Sequence, residues 1–271
     1  MMAALPFDAS WPESWRLAHP FDRLEIWGED PRHGYARMYK NRRAHVLQAV
    51  ARLAPVPGHI LDIAAAAGNF TNAVAAMGHR VTWNDFRGEL ADYVALKAPA
   101  DAQIDYVAGN ILERGAALAD SYDLVLALEV IEHVAHPDQF LHAISRLVKP
   151  GGHIIISTPN GGYLMNKLPR FSDFDDPSVF EGQQFKPDAD GHIFLLHEDE
   201  MRSLSAAAGL ELVEHRLFSY PLTCGYLKTG GVARLLPDAI IHMAERAGSL
   251  LPAALQRKFA TASMTILRRP A

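Results

Sequence analysis

The sequence predicts an α/β fold in which a mostly parallel sheet carries helices on both faces. Two observations lead to this prediction. Short apolar runs alternate with helix-length segments along residues 59–160, which is typical of consecutive βαβ units. One of these runs, residues 122–128, is apolar along nearly its whole length, as expected for a strand in the middle of a sheet that is covered on both faces.

The predicted elements follow the hydrophobic pattern in chain order. Apolar side chains three and four residues apart predict a helix over 34–53, which ends before Pro55, Pro57 and Gly58. The predicted strands after it are 59–63, 80–84, 103–107, 122–128, 153–157, 210–218 and 262–267. The predicted helices between them are 70–77, 89–97, 137–148 and 198–208. We expect an irregular segment at 161–191 and an apolar helical insertion at 221–258.

The composition is that of a globular protein and excludes several functional classes. Of 271 residues, 49% are hydrophobic and 21% are charged, with a net charge of -5. This charge does not favour a nucleic-acid-binding surface, which requires clustered basic side chains, and we expect no nucleic-acid partner. Cys224 is the only cysteine, which excludes an internal disulfide and a cysteine-rich zinc cluster. We expect no metal, no secretory signal, no membrane span and a cytoplasmic location.

A turn of small side chains follows the first predicted strand. Residues 62–70 read DIAAAAGNF, and small residues stand two apart at Ala64, Ala66 and Gly68. Ligands of parallel sheets bind beyond the carboxyl ends of the strands, so this turn must pass close to any such ligand. Small residues permit that close approach. A tight strand-to-helix turn in an alanine-rich protein is the alternative interpretation.

Polar side chains follow the next three strands. Asp85 ends the second strand and can accept hydrogen bonds from both hydroxyls of a ribose, or else cap the next turn. Asn110 follows the third strand, where an amide can pair with an adenine edge, although loops favour asparagine in any case. Glu129 and His133 follow the fourth strand. His133 has a pKa suited to a general base, while a surface or capping role is the alternative for any one of thirteen histidines.

The order of these features resembles that of class I S-adenosylmethionine-dependent methyltransferases, and most closely small-molecule O-methyltransferases of the ubiquinone-biosynthesis type. The resemblance covers 59–160 and, less tightly, 190–218. It rests on ILDI (60–63) with the small turn, VTWND (81–85), EVIEHV (129–134), and KPGG (149–152) followed by a strand and STPN (157–160). It implies a Rossmann-like, seven-stranded sheet whose last strand, 262–267, is antiparallel.

The resemblance also implies S-adenosylmethionine as the cofactor and indicates which residues would bind it. Asp85 would hold the ribose, Phe86 would lie against the adenine, and Glu129 would lie beside the amino-acid part. The full implied set is Asp62, Ala64, Ala66, Gly68, Asn69, Phe70, Asp85, Phe86, Asn110, Ile111 and Glu129. Members of this family usually carry glycine at positions 64 and 66 and aspartate at position 110. A positive φ at Ala64 would cost about 1 kcal/mol or more.

The implied reaction requires alignment of an acceptor and, for a hydroxyl acceptor, a base. The candidate bases are His133 and His192, with His197 a weaker candidate because it also suits a helix entry. One broad face of the helix at 34–53 carries Tyr35, Tyr39, Arg42 and Arg43. This face would close over the cofactor carboxylate with an arginine as the charge partner, and our candidates on it are Tyr35 and Arg43. A solvated amphipathic face is the alternative for that helix.

We expect one domain over 1–271, with an N-terminal helical cap at 1–54, a cofactor-binding core at 59–160 and cover segments at 161–191 and 221–258. The first cover segment contains the aromatic residues Tyr163, Phe171, Phe174, Phe180 and Phe185. Such apolar covers suit a small-molecule acceptor of aromatic or lipid-like character. Packing against the core, or against a second subunit in a homo-oligomer, is the alternative interpretation.

Two other functions stay open at this point. The first is a nicotinamide-dependent oxidoreductase on a similar sheet, although the two-residue spacing of Ala64, Ala66 and Gly68 differs from the G-x-G-x-x-G of dinucleotide folds. The second is a non-catalytic binding protein that retains the methyltransferase fold.

Overall fold

Seven strands form a single sheet in the computed structural model, which describes residues 4–184 and 191–271. The strands are β1 (His59–Ile63), β2 (Arg80–Asp85), β3 (Gln103–Ala108), β4 (Tyr122–Leu128), β5 (Val148–Pro159), β6 (Glu211–Phe218) and β7 (Ala262–Arg268). Their order is β3-β2-β1-β4-β5-β7-β6. β7 is antiparallel to β5 and to β6, and the other neighbouring pairs are parallel. The predicted fold class, including its antiparallel last strand, is confirmed.

Helices connect these strands and cover the sheet. Within the described ranges they are α1 (Glu13–Glu25), α2 (Gly34–Leu53), α3 (Asn69–Ala75), α4 (Leu90–Leu96), α5 (Pro137–Leu147), α6 (Glu198–Ala207), α7 (Pro221–Cys224), α8 (Gly230–Leu235), α9 (Asp238–Ser249) and α10 (Ala253–Phe259). The predicted bounds of α2, β1 and β4 match those observed. In the part of the chain that is described, no helix combines the length and apolar character needed to cross a bilayer.

The largest difference from the predicted bounds lies at β5, which begins at Val148 instead of residue 153. Val148 pairs with Tyr122 in β4, and regular pairing resumes only at His153. Residues 149–152 interrupt the regular pairing of β5 with β4, and Gly151 among them takes a φ of 79°. The interruption lies where the sequence predicted a turn between helix and strand.

Core side chains lie on both faces of the central strands. Ile60 and Leu61 are consecutive in β1 and both are fully buried, which places them on opposite faces. Ile60 packs in one cluster with side chains of α2 and α3, and Leu61 packs in another with side chains of α5 and α6. Burial on both faces explains why β1 and β4 are continuous apolar runs.

The first cover segment packs partly against the core. Phe171, Phe174 and Phe180 surround the buried Phe194, with ring centroids 5.5, 6.0 and 5.0 Å from it. For these three aromatic residues the alternative interpretation, packing against the core, is correct. Phe185 lies outside the described residues.

The insertion before β7 is helical, as predicted, and it packs on α2. The guanidinium of Arg37 in α2 donates to the carbonyl of Ala233 in α8 at 2.8 Å and contacts Asp238 of α9 at 3.2 Å. Several of its apolar side chains are exposed, among them Leu235, Met243 and Leu250.

Candidate active site

Two cavities meet at the turn that follows β1. One has a volume of about 520 Å³ and lies between the turn and helices α1 and α2. The other has a volume of about 390 Å³ and lies between the ends of β2 and β3 and the start of α5. Ile63 and Ala64 line both. The strand order reverses between β1 and β4, so the cavities occupy the switch point at which parallel α/β sheets bind ligands.

The turn has a strained backbone held by specific hydrogen bonds. Ala64 and Ala66 have φ values of 51° and 46°, a conformation that costs a non-glycine residue about 1–2 kcal/mol. The amide of Ala66 donates to Oδ2 of Asp85 at 2.9 Å, and its carbonyl accepts from Nε1 of Trp83 at 3.0 Å. Strain maintained by such contacts is characteristic of functional sites. Both alanines line the larger cavity.

Gly68 is required for packing, because a Cβ atom there would lie 2.5 Å from Cγ1 of Val94 in α4. Its φ is 68°. Gly68 lines neither cavity, whereas Asn69 and Phe70 line the larger one. Gly68, which the sequence predicted to lie close to a ligand, thus packs against helix α4.

Asp85 lies at the end of β2, buried, and its carboxylate is fully occupied. Oδ2 accepts from the amide of Ala66 at 2.9 Å and from Nη2 of Arg87 at 3.2 Å. Oδ1 accepts from the amide and from Nε of Arg87, at 2.9 and 3.0 Å. A ribose at Asp85 would replace the guanidinium of Arg87, whose side chain is 52% exposed. Only the arginine side of this ion pair is exposed, and we expect its release, with the ribose hydroxyls donating in its place, to cost on the order of 1 kcal/mol.

The smaller cavity contains the residues predicted to flank a purine. Phe86, Asn110 and Ile111 all line it. Oδ1 of Asn110 accepts from the amide of Leu112 at 3.1 Å, so this side chain caps the short helical turn that follows. This local hydrogen bond agrees with the alternative given for Asn110, that loops favour asparagine, and its oxygen retains a second acceptor position.

The larger cavity has polar groups at its far end. Oε2 of Glu129 lies 2.8 Å from Nη1 of Arg42, and Oε1 accepts from the hydroxyl of Ser157 at 2.8 Å. Tyr35 lines this cavity, as predicted. Of the two neighbouring arginines of α2, Arg42 lines this cavity together with Arg87 from the end of β2, while Arg43 lines neither cavity.

Asp62 contributes a second carboxyl at the base of the turn. It is buried, and burial raises its pKa to about 7. The hydroxyl of Thr71 donates to its Oδ2 at 2.6 Å. A ligand in the larger cavity therefore lies beside the Asp62 carboxyl, which carries a proton over much of the acidic pH range.

The two predicted bases lie together beyond the end of β4. The rings of His133 and His192 have centroids 4.8 Å apart at an interplanar angle of 64°. The fully buried Glu132 stands beside them, and burial together with the nearby Glu129 raises its pKa well above the ordinary value. The potential ligand atoms of Glu132, His133 and His192 lie within 4.8 Å of one another, close enough to bind a cation. The expected absence of a metal stays a prediction.

His197 has a different position, because it caps α6. Its amide donates to Oε2 of Glu200 at 2.9 Å, which completes a capping box. The helix-entry interpretation of His197 is therefore confirmed.

The sequence analysis missed the contribution of α1. The ammonium of Lys97 is buried and donates to Oδ2 of Asp22 in α1, to the carbonyl of Ala67 in the turn and to Oδ1 of Asn69, at 2.6, 2.8 and 2.9 Å. Tyr93 also donates to Asp22, at 2.7 Å. This network attaches α1 to the turn. The sequence signal for it is slight: Lys97 stands alone in the otherwise apolar stretch 93–100, whereas Asp22 is followed directly by Arg23.

A family described as "Methyltransferase domain" matches residues 35–215, which include the turn, Asp85, Glu129 and both candidate bases. The chain belongs to this family. The resemblance inferred from the sequence is confirmed, and the nicotinamide alternative loses its support. Tyr93 and Lys97, which stand four residues apart as in some reductases, line neither cavity and contact Asp22 instead.

Two curated relatives of this methyltransferase-family chain are ubiquinone biosynthesis O-methyltransferases. That of Xanthomonas axonopodis pv. citri is 33% identical over 111 residues, which are 41% of this chain and 46% of the relative. That of Klebsiella pneumoniae subsp. pneumoniae is 36% identical over 102 residues, 37% of this chain and 42% of the relative. The chain therefore spans less than half the length of these relatives.

Solved structures confirm the fold of the family. A putative sarcosine dimethylglycine methyltransferase from Galdieria sulphuraria superposes with a TM-score of 0.57 at 16% identity, covering 96% of this chain and 99% of that one. The [4+2]-cyclase SpnF superposes with a TM-score of 0.54 at 15% identity, covering 84% and 80%. Because one neighbour is named as a cyclase, the fold by itself does not specify the reaction.

Proposed function

We propose that the protein transfers a methyl group from S-adenosylmethionine to a hydroxyl oxygen of a small molecule. The observation that carries this proposal is the pair of cavities joined at the turn after β1. One cavity ends at the purine-side residues and the other at the ion pair of Arg42 and Glu129. Their combined size suits a ligand with a nucleoside at one end and an amino acid at the other.

The residues present fit this cofactor. Ala64 and Ala66 leave the space beside the turn open, because a cavity of about 520 Å³ is present where they line it. Asp85 would hold the ribose hydroxyls in place of Arg87. Phe86, Asn110 and Ile111 would surround the adenine. The departures from the family's usual glycines therefore cost backbone strain without closing the site.

When bound, S-adenosylmethionine supplies a methyl group that is already activated by its positive sulfur. The protein's own task is then to hold the acceptor oxygen in line and to remove its proton. His133 and His192 are our candidates for the group that accepts the proton. This assignment is supported by their position beyond the carboxyl end of β4, on the edge of the sheet that also carries the two cavities; neither histidine lines either cavity itself.

The acceptor is proposed to be an aromatic or otherwise apolar small molecule. Two observations support this. The relatives are named for O-methylation in ubiquinone biosynthesis. In addition, an open and mostly apolar cavity of about 560 Å³ lies between the cover segments and is lined by Tyr163, Met165, Tyr226, Leu227 and Lys228.

The test has two parts. Titrations with S-adenosylhomocysteine and with NADH should show binding of the first alone, and binding of NADH alone would overturn the proposal. Transfer of a labelled methyl group from S-adenosylmethionine is then measured on hydroxybenzenes with and without an alkyl chain. Failure to label any hydroxyl, amine or carbon acceptor would favour a non-catalytic binding protein.

The histidine variants test the base. We expect His133→Ala or His192→Ala to lower turnover at least tenfold while the affinity for S-adenosylhomocysteine stays within twofold. His197→Ala is the matched control, because this histidine caps α6. Full turnover in both variants would contradict the base assignment. If a chelator abolishes turnover and added Mg²⁺ restores it, the cluster acts through a cation and the prediction of no metal is wrong.

A further inference from the structure

Glu25 presents a carboxylate to the larger cavity from α1, outside the matched family region. Oε1 accepts a hydrogen bond from the hydroxyl of Tyr35, and Oε2 accepts one from Nδ2 of Asn69 at 2.8 Å. A carboxylate offers about four acceptor positions, so each oxygen retains capacity for a further donor. The group is thus oriented by two neighbours and still able to bind a ligand.

The orientation of this carboxylate is fixed by a buried network. Oδ1 of Asn69 accepts from the ammonium of Lys97 at 2.9 Å, which identifies the other end of the amide as the donor. That end donates to Asp22 at 2.7 Å and to Glu25 at 2.8 Å. Because Asn69 has no alternative orientation that satisfies these partners, the acceptor atoms of Glu25 are held in place before any ligand binds.

Glu25 has no direct ion pair in the cavity, and the charge of Arg42, which is paired with Glu129, acts on it only from a greater distance. Three acids on or beside the cavity have a cation at ion-pair distance: Asp22 has Lys97, Asp85 has Arg87, and Glu129 has Arg42. Among the residues that the structure describes, no lysine or arginine lies at such a distance from Glu25. Burial accordingly raises the pKa of the Glu25 carboxyl. A cationic ligand group would supply the missing charge.

We propose that Glu25, oriented by Tyr35 and Asn69, binds the α-ammonium group of the cofactor's amino-acid part. An ammonium group is a compact cation with three donors, and it matches an acid that has two free acceptor positions. Arg42 lies on the same cavity and offers the opposite charge for the cofactor's carboxylate. The two helices of the N-terminal cap would thus bind the two charges of the amino acid. The inference rests on the proposed function.

The test compares two ligands that differ in the amino-acid part. S-adenosylhomocysteine carries it, and 5′-methylthioadenosine has the same nucleoside and sulfur without it. Calorimetric titrations use the wild type, Glu25→Gln and, as a matched control, Glu29→Gln, whose exposed carboxylate pairs with Arg23. We expect Glu25→Gln to weaken S-adenosylhomocysteine about tenfold or more, because a charge-assisted hydrogen bond is lost. Its affinity for 5′-methylthioadenosine should stay within twofold, and the control should change neither.

The outcomes separate this inference from the proposed function. If the wild type binds neither ligand, the proposed function fails. If Glu25→Gln binds S-adenosylhomocysteine as well as the wild type does, or if both ligands weaken equally, the ammonium subsite is wrong and the cofactor assignment stands. Should this variant not fold, the analogue of S-adenosylhomocysteine that lacks the amino group gives the answer on the wild type. It should bind about tenfold more weakly, and equal affinity would overturn the inference.

Discussion

Because the ion pair between Lys97 and Asp22 is buried, we expect Lys97→Met to destabilise the protein much more than Lys149→Met, which removes an exposed ion pair. The side chains of Lys97 and Asp22 are 1% and 0% exposed, and the ammonium donates to three acceptors. Lys97→Met removes the cation and leaves the Asp22 carboxylate buried without its charge partner. Removal of one member of such a pair costs about 3–5 kcal/mol. We expect this loss in the free energy of unfolding.

Lys149→Met is the matched control. Its ammonium lies 2.7 Å from Asp123, nearly the same distance, but Lys149 is 42% exposed. An ion pair in that position contributes at most about 1 kcal/mol. Urea unfolding followed by tryptophan fluorescence measures both variants. Adding Asp22→Asn to Lys97→Met should recover part of the loss, because the stranded charge disappears. Equal, small losses in the two lysine variants would refute the account of how α1 is attached to the turn.

Three further predictions concern the turn and its surroundings. Arg87→Ala should tighten S-adenosylhomocysteine binding up to about fivefold in calorimetry, because Asp85 no longer has to release a guanidinium. Weaker binding would show that Arg87 contacts the ligand. Burial raises the pKa of Asp62 from 3.8 to about 7, so the folded protein binds a proton that the unfolded chain has lost. The free energy of unfolding of the wild type should therefore fall, by at most about 4 kcal/mol, between pH 4 and 7 relative to Asp62→Asn; parallel pH curves would contradict this. Gly68→Ala should destabilise the protein by about 2–4 kcal/mol, since its Cβ would lie 2.5 Å from Val94 in α4. Gly151→Ala is the control, because Gly151 has a similar φ with open space around it, and it should cost about 1 kcal/mol. Equal losses of stability would argue against the contact between position 68 and α4.

The hydrophobic pattern predicted the sheet well because its central strands are buried on both faces. β1 and β4 are uninterrupted apolar runs between clear turn signals, so their bounds are visible in the sequence. The strand ends then place Asp85 and Glu129 at one edge without further information, because parallel strands share their carboxyl ends. These parts of the site follow from topology.

Other parts depend on information that one sequence does not contain. Adjacent residues of a helix point about 100° apart, so the choice between Arg42 and Arg43 depends on a rotation of α2 that an amphipathic pattern defines only coarsely. Within the predicted helical cap at 1–54, α1 was not assigned as a helix of its own, and Pro20 lies within it. Lys97 contacts Asp22 at a separation of 75 residues in the chain, and Glu25 contacts Asn69 at a separation of 44 residues. Spacing rules do not reach that far.

The most direct measurement of the central claim is the affinity of S-adenosylhomocysteine for the wild type and for Asp85→Ala. Asp85 is the only acid proposed to hold the ribose, and it also fixes the turn through the amide of Ala66. Calorimetry should show binding to the wild type that weakens at least tenfold in the variant. Asp105→Ala, an exposed acid on the neighbouring strand, should leave the affinity unchanged. Equal affinity in the wild type and Asp85→Ala would contradict the claim that this edge of the sheet holds the nucleoside.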